Sequence, residues 1–413
     1  MTERQRAVIP TSRSKCRVAL LTGGFDKPYV YGLVTALGAR QIPMDVIGSN
    51  DIFDSRFSQF AGVALFDFRR RTIPVGFAGK LSKLLMYYIR LIGYAATCDA
   101  STFHILWNNK FELFDRVALM LYYKLLRKKI VFTAHNVNAG QRDGNDSRLN
   151  RLTLKIQYRL CDHIFVHTPK MKQQLLEEFG VLVDRISIIP FGINDSLPET
   201  SLTVRQARQR LGIGEEEKAI LFFGSIRPYK GLGFLVEAFQ KLAADDGSYR
   251  LIIAGEPRPE SDGDYADQIH RLIDVHSTSK QVIARIQYIP DQEVELYFKA
   301  ADVLVLPYSE VFQSGVLFLG YNFGLPAVAA NVGSFREDIV AGETGFLANS
   351  CSAGDLTKTV QDYFASDLFK SLQSRRPLIR ERASARNSWA TVANITCNVY
   401  ASLQAHSCVL KAR

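Results

Sequence analysis

Cysteine is scarce in this chain. There are six in 413 residues (Cys16, Cys98, Cys161, Cys351, Cys397 and Cys408), and none forms a Cys-x-x-Cys pair. That scatter excludes a disulfide framework and a cysteine-based zinc site, and it reads as reduced thiols in a cytoplasmic protein. Long apolar runs are missing too: none approaches the roughly 18 residues that cross a bilayer. The N-terminus, MTERQRAVIPTSRSK, is polar and basic without an apolar centre, so it is not a signal peptide. No Gly-x-Gly-x-x-Gly follows a strand with an acid about twenty residues on, which disfavours a dinucleotide oxidoreductase. No RNA-recognition, KH or zinc-finger pattern occurs, so nucleic acid is not an expected partner. Internal repeats and low-complexity tracts are also lacking.

What is present is an ordinary globular composition, 47% hydrophobic and 22% charged, with ample material for a core. The length suits two or three domains. Charge is unevenly spread. Residues 1–195 hold 28 Lys+Arg against 16 Asp+Glu, or +12; residues 196–413 hold 23 against 25, or −2. A basic half and a near-neutral half fit two domains with different partners, the basic one facing anionic lipid, an acidic acceptor or nucleic acid.

Short apolar runs alternate with helical patterns along the whole chain, which means parallel sheets covered on both faces. Arg17–Thr22, Asp45–Gly48, Val63–Phe66, Phe103–Trp107, Lys129–Thr133, His163–Val166 and Ile186–Ile189 are expected strands of the first half. Ala219–Phe223, Arg250–Ala254, Ile286–Ile289, Val303–Leu306, Ala327–Ala330 and Gly345–Leu347 are those of the second. The pair Gly23–Gly24 follows the first strand as a close-approach turn. Leu81–Thr97 is apolar and aromatic, with Lys83 and Arg90 its charges and Arg69–Arg70–Arg71 and Lys80 nearby. It reads either as a core helix, the favoured reading, or as an amphipathic helix that touches membrane. Arg127–Lys128–Lys129 reads as a solvated helix end.

Two stretches suggest a phosphate site. In ADVLVLPYSEVFQSGVLFLGYNFGLPAVAANVGSFRE, Ala301–Glu337, a buried strand leads through a polar loop into an almost wholly apolar helix. Gln313–Ser314–Gly315 would open that helix at the carboxyl end of a parallel strand, where open α/β sheets bind ligands. Helix-start N–H groups, including that of Val316, favour an anion, and Gly315 leaves room for it to approach. In AILFFGSIRPYKGLGFLVEAFQKL, residues 219–242, another strand-to-helix turn carries Arg227 and Lys230. One cationic turn and one turn offering N–H groups suit a pyrophosphate.

These pieces occur in order with VFTAHNVN, HIFVHTPKMKQQLLEEFGV, ISIIPFGIN, LIIAGEP, YIPDQEVELYFKAADVLVLPY and GETGFL. Together they resemble a family 4 type (group 1) glycosyltransferase of the GT-B fold, over nearly the whole chain and most strongly from about Asp162 to Phe346. The resemblance implies an α/β protein of two Rossmann-like domains whose parallel sheets face across a cleft. The expected division is a disordered segment 1–15, an acceptor-side domain 16–190, a linker 191–203, a nucleotide-sugar-binding domain 204–374, and C-terminal helices 375–413 crossing back to the first domain with Trp389 as anchor. It also implies a retaining transfer from a nucleotide-sugar donor to a glycan or lipid-linked acceptor, in cell-surface polysaccharide or glycolipid synthesis. Work at the inner face of an anionic membrane is part of that expectation.

By the same resemblance, Arg227 and Lys230 neutralise the leaving diphosphate, Ser314, Gly315 and Val316 hold it, and no metal or other cofactor is needed. The base would lie between the loops Ala254–Pro257 and Tyr288–Asp291, at Gly255 and Ile289, with Gly23 and Gly24 contributing from the first domain. His135, at a strand end, is either structural or faces the donor sugar; Asn136, Asn138 and Asp143 follow in a loop suited to the acceptor. His167 reads as structural. The chain departs from the family at one point. Many relatives carry two glutamates separated by seven residues; Glu310 is near the first position, but Phe318 or Leu319 stands at the second. Glu337 is another candidate for the sugar contact, or simply a helix-start residue. Asp262-Gly263-Asp264 looks like the metal-binding motif of other transferases, yet reads better as a loop and cap. A GT-B nucleotide-sugar epimerase and an inactive nucleotide-sugar-binding protein are the rivals.

Overall fold

The computed structural model describes residues 17–23, 26–69, 77–109, 111–142, 144–193, 197, 200–257, 263–274 and 280–411. Expectations for residues 1–15, Cys16, Gly24, Arg70, Arg71, Asp143 and Asp262 lie outside the described residues. The chain forms two compact units. One draws on the described residues of Met1–Val137, Ser147–Ile189 and Ala390–Arg413; the other draws on those of Asn138–Asp146 and Pro190–Trp389.

In the first unit, β1 (Val18–Leu21), β2 (Met44–Gly48), β3 (Val63–Asp67), β4 (Thr102–Ile105), β5 (Lys129–Thr133), β6 (His163–Val166) and β7 (Ile186–Ile188) form one parallel sheet. Their spatial order is β3-β2-β1-β4-β5-β6-β7. β1, β4 and β6 are buried at every position, as expected of short apolar runs with helices on both faces. His104 is buried within β4. Its Nδ1 meets Tyr400 Oη at 2.6 Å and its Nε2 meets Thr133 Oγ1 at 2.7 Å, which ties the C-terminal helix Trp389–Lys411 to this sheet.

The second unit repeats the plan. β8 (Lys218–Phe223), β9 (Tyr249–Ala254), β10 (Val282–Arg285), β11 (Val303–Leu306), β12 (Ala327–Ala330) and β13 (Gly345–Ala348) run parallel in the order β10-β9-β8-β11-β12-β13. All four side chains of β11 are fully buried. Burying each contributes roughly 1.5–3 kcal/mol before the cost of ordering the chain, so this strand is a fixed platform. In both sheets the chain winds outward one way from the first strand and then returns to its other side. The reversals fall between β1 and β4 and between β8 and β11, and ligands of such sheets bind beyond the carboxyl ends of the strands at that point.

Two expectations are corrected. The strand expected at Ile286–Ile289 is β10, four residues earlier. β10 is an edge strand paired only with β9, and its last two residues are exposed, so its sequence lacks the apolar signature of a central strand. Ile289 is instead in the loop before the helix Asp291–Ala300, with its side chain packed into the core. The helix Phe77–Thr97 is not a core helix. Tyr87, Tyr88, Leu91 and Ala95 are buried, but Leu81, Leu85, Met86 and Ile89 face solvent. Trp389 opens the last helix; its Nε1 donates to Ile193 O at 2.7 Å and its ring lies against Gly192.

Candidate active site

The second unit gathers most of the expected residues at its switch point. β8 leads into Gly224, whose N–H donates to Ala254 O at 2.9 Å, so the loop after β8 is fastened to the end of β9. Gly224 has φ +101°, a conformation that side chains with a Cβ rarely adopt. A Cβ there would lie 3.3 Å from Val316 Cγ2 and 3.4 Å from Lys230 Nζ. Three segments thus converge on one point: the end of β8, the turn Pro228–Lys230, and the start of the helix Gly315–Asn322. Gly255 closes the floor, since a Cβ on it would come within 1.9 Å of Gly224 O.

The cationic turn is fixed from two sides. Ser309 N donates to Tyr229 O at 2.8 Å, which joins the turn to the chain leaving β11. Lys230 is only 7% exposed, and its ammonium stands 5.6 Å above the ring of Tyr308. The Arg227 guanidinium lies 5.2 Å from the centre of the Tyr229 ring. A cation over an aromatic face is attracted by the ring's electron-rich surface, which helps hold it in place where water is partly excluded.

The helix start supplies the other half. Ser314 caps Gly315–Asn322, its Oγ accepting from Leu317 N at 3.4 Å. The N–H groups of the first helical turn have no acceptor inside the helix and carry the positive end of its dipole. Leu317–Tyr321 is buried, whereas Gly315 is exposed, so the helix is embedded and its start is open. Gly315 does not have a positive φ, and a Cβ there would meet only the Phe191 ring, at 3.5 Å. No backbone strain therefore requires glycine here; the open space in front of it remains the reason to have one.

The carboxylates are less collected. Glu310 is exposed on the loop between β11 and this helix. Phe318, eight residues on, is buried and stacked on Phe191, so this helix face offers no second carboxylate. Glu337 is exposed in the first turn of the short helix Phe335–Asp338, and its carbonyl accepts from Arg386. Next to it, Asp338 Oδ2 accepts from Gln313 Nε2 at 3.2 Å, and burial pushes its carboxyl up to about 6. Asp264 lies in the first turn of the helix Gly263–Asp274. Among the described residues, no group of three or more His, Cys, Asp or Glu side chains is arranged to hold a metal ion.

The first unit carries a different set at the same end of its sheet. Gly23 follows β1 with φ +61°, and a Cβ on it would come within 2.8 Å of both Trp107 Cβ and Trp107 O. Trp107, just past β4, stacks flat on His135, with ring centres 4.1 Å apart and planes 5° from parallel. Tyr29 meets His135 edge-on at 4.6 Å. His135 Nδ1 lies 3.0 Å from His167 Nε2, and His167 Nδ1 lies 3.2 Å from Ile189 O. Burial holds both imidazoles below their ordinary range, His167 down to about 4. His167 was read as structural, and Tyr29, Trp107 and Tyr308 were not singled out at all. The signal for three of them was position: Trp107, His167 and Tyr308 each come one or two residues after a strand.

Comparison with known proteins agrees with this arrangement. The family description Glycosyltransferase Family 4 matches residues 28–197, and Glycosyl transferases group 1 matches residues 203–381. The D-inositol 3-phosphate glycosyltransferase of Corynebacterium aurimucosum is 28% identical over 287 residues, which is 66% of this chain and 66% of that protein, just under two thirds. That of Corynebacterium efficiens is 26% identical over 69% of this chain and 68% of its own length. Among solved structures, sucrose-phosphate synthase from Thermosynechococcus elongatus matches with a TM-score of 0.75 at 20% identity, covering 94% of this chain and 99% of that one. Anabaena HepE in complex with UDP-glucose matches with a TM-score of 0.72 at 16% identity, over 94% and 99%. With two parallel sheets of one winding order and both family descriptions falling in sequence along it, the chain belongs to the family 4, group 1 glycosyltransferases of the GT-B fold.

Proposed function

We propose that this glycosyltransferase moves a hexose from a nucleotide-sugar donor to a glycan or lipid-linked acceptor, with retention at the anomeric carbon and without a metal. The observation that carries the reading is the convergence of Gly224, Lys230 and Val316 at the switch point of the second sheet. Lys230 and Arg227 would offset the charge that builds on the departing diphosphate, and the N–H groups of Gly315 and Val316 would hold its oxygens. Two fixed cations and a helix start then supply the charge that a divalent cation supplies elsewhere. Gly255 and the loop holding Ile289 border the place for the base, and Glu310 and Glu337 are the carboxylates available to the sugar. Among the described residues no carboxylate is an evident nucleophile, so the leaving phosphate would take the acceptor proton on the same face. Because HepE is seen with UDP-glucose, UDP-glucose is the first donor to try.

Membrane contact is part of this proposal. Among the described residues no helix is long and apolar enough to cross a membrane. Exposed Leu85 and Ile89 of Phe77–Thr97 lie one turn apart, and Leu121 and Leu125 of the helix Met120–Leu125 repeat that spacing on the same basic half. An apolar face with basic surroundings suits an anionic bilayer. The deciding experiment is incubation with UDP-, GDP- and ADP-sugars in the presence of chelator. Release of the nucleoside diphosphate is expected. A C2-epimerised donor would favour the epimerase, binding without turnover an inactive module, and activity abolished by chelator would overturn the metal-free site. Vesicle sedimentation checks the membrane part: binding to anionic vesicles that weakens with salt supports it, and equal partitioning onto neutral ones contradicts it.

A further inference from the structure

Three successive strands of the first sheet end in a hydrogen-bonded line. β5 runs out at Thr133 and delivers His135 two residues later. β6 delivers His167 one residue after Val166, and β7 delivers Ile189 one residue after Ile188. The backbone holds these ends in register: Ala134 N donates to Phe165 O at 2.8 Å, and Ile189 N donates to Val166 O at 2.8 Å. Across them run the two side-chain contacts, His135 Nδ1 to His167 Nε2 and His167 Nδ1 to Ile189 O.

The chemistry of the line fixes its direction. A carbonyl oxygen only accepts, so His167 Nδ1 must carry the proton that it shares with Ile189 O. A neutral His167 then has a lone pair at Nε2. His135 Nδ1, 3.0 Å away, must donate to it. A neutral His135 with its proton on Nδ1 has a bare Nε2. The groups packed about His135 keep both rings neutral. Tyr29 comes from the helix Lys27–Gly38 with Asp26 at that helix's start, Trp107 from the end of β4, His104 from within β4, and His167 from the end of β6. Burial disfavours an imidazolium there, and a charge on either neighbouring histidine would disfavour a second one.

We propose that His167 is a positioning residue that locks His135 in the Nδ1–H tautomer, so that His135 acts only as a hydrogen-bond acceptor at Nε2. This rests on the second of the two readings of His135 given by the sequence, that it faces the donor sugar. The inference narrows that contact: the group that His135 meets is a hydroxyl of the sugar, which can donate, and not a phosphate oxygen, which cannot.

The test starts with the wild-type protein, selectively 15N-labelled at histidine, with His135 assigned from the His135→Gln spectrum. Two-bond 15N–1H correlations at pH 7 separate the two neutral tautomers. Protonated Nδ1 and bare Nε2 on both His135 and His167 are expected. A proton on Nε2 of His135 overturns the proposal without any variant having to fold. His167→Phe keeps a ring but removes the acceptor, and it should shift His135 toward the Nε2–H tautomer and lower kcat with UDP-glucose about tenfold, the effect of one lost neutral hydrogen bond. UDP affinity should not change. His167→Gln, whose amide oxygen accepts, should restore most of the loss. Equal losses in the Phe and Gln variants mean a merely structural role and overturn it. If the tautomer is as expected but His135→Ala turns over at the wild-type rate, the relay stands and the reading of His135 as a donor contact falls.

Discussion

The first sheet releases its chain from β4, β5 and β6 into Trp107, His135 and His167, all neutral and packed on one another. The second releases its chain from β8 and β11 into Gly224, the Arg227–Lys230 turn and an open helix start. Both sheets have the same winding order and the same switch point. The scaffold therefore offers two equivalent places, and on the reading proposed above the residues at the strand ends make one suit neutral, directional contacts and the other an anion. Burial acts differently on them. In the first unit it disfavours charge on the imidazoles; in the second, Lys230 and Arg227 lie over the aromatic rings of Tyr308 and Tyr229.

The sharpest way to break this contrast is to remove charge on one side and a neutral contact on the other. Lys230→Ala should lower kcat by on the order of a hundredfold or more, as loss of one preorganised charge contact does. His135→Ala should cost only about tenfold, the scale of a neutral hydrogen bond. Wild-type turnover in the Lys230→Ala, Arg227→Ala double variant would sink the anion-site assignment. Comparable losses at Lys230 and His135 would erase the distinction between the two units.

Gly315→Val comes next in size. Its φ is ordinary and the new side chain would lean on Phe191, so folding should be kept while nucleotide affinity falls, about tenfold or more, because the branch occupies the approach to the helix start. Titration calorimetry with UDP measures it, and unchanged affinity would mean that no phosphate approaches there. Ser314→Ala should do less to binding, because the backbone N–H groups remain, and it should cost about 1 kcal/mol of stability through the lost cap.

The smallest effect is a difference in pH dependence. His104 is held down to about 3, and His163 and His167 to about 4, all by burial. Unfolded histidines take up protons below about 6.5, so the stability these three contribute is present above that pH and is lost as pH falls toward 4. Asp338 in the second unit is raised to about 6, so its contribution has the opposite sign, present below the unfolded value of 3.8 and lost as pH rises through 6. Moving from pH 7 to 5 should loosen β4–β6 around these histidines and tighten the loop around Gln313 in the second unit. Hydrogen exchange, corrected for intrinsic rates and compared between β4–β6 and the helix Gly315–Asn322, reads both, and parallel changes would contradict the assignment.

Much of this was legible in the sequence. Central strands such as Val303–Leu306 and His163–Val166 stand out because both faces are buried, which leaves a short apolar run. The positions of the Arg227–Lys230 turn and of the helix start at Gly315 were legible because glycine and cations follow such runs. β10 was misplaced because an edge strand needs no apolar run, while Ile286–Gln287–Tyr288–Ile289 imitates one. For Leu81–Thr97 a core helix was favoured over an amphipathic one because exposed leucines and isoleucines are indistinguishable from buried ones until the sheet is placed. The His135–His167 contact was out of reach for another reason. It joins residues 32 apart through the pairing of two strands, and nothing local to either histidine announces the other.

The claim that the second unit recognises a diphosphate is tested most directly by calorimetric titration of UDP and uridine, in chelator, into the wild-type and Lys230→Ala proteins. The wild type should bind UDP far more tightly than uridine, and Lys230→Ala should weaken UDP by about tenfold or more while leaving uridine unchanged. Equal loss for both ligands, or UDP binding that appears only when a divalent cation is restored, would contradict it.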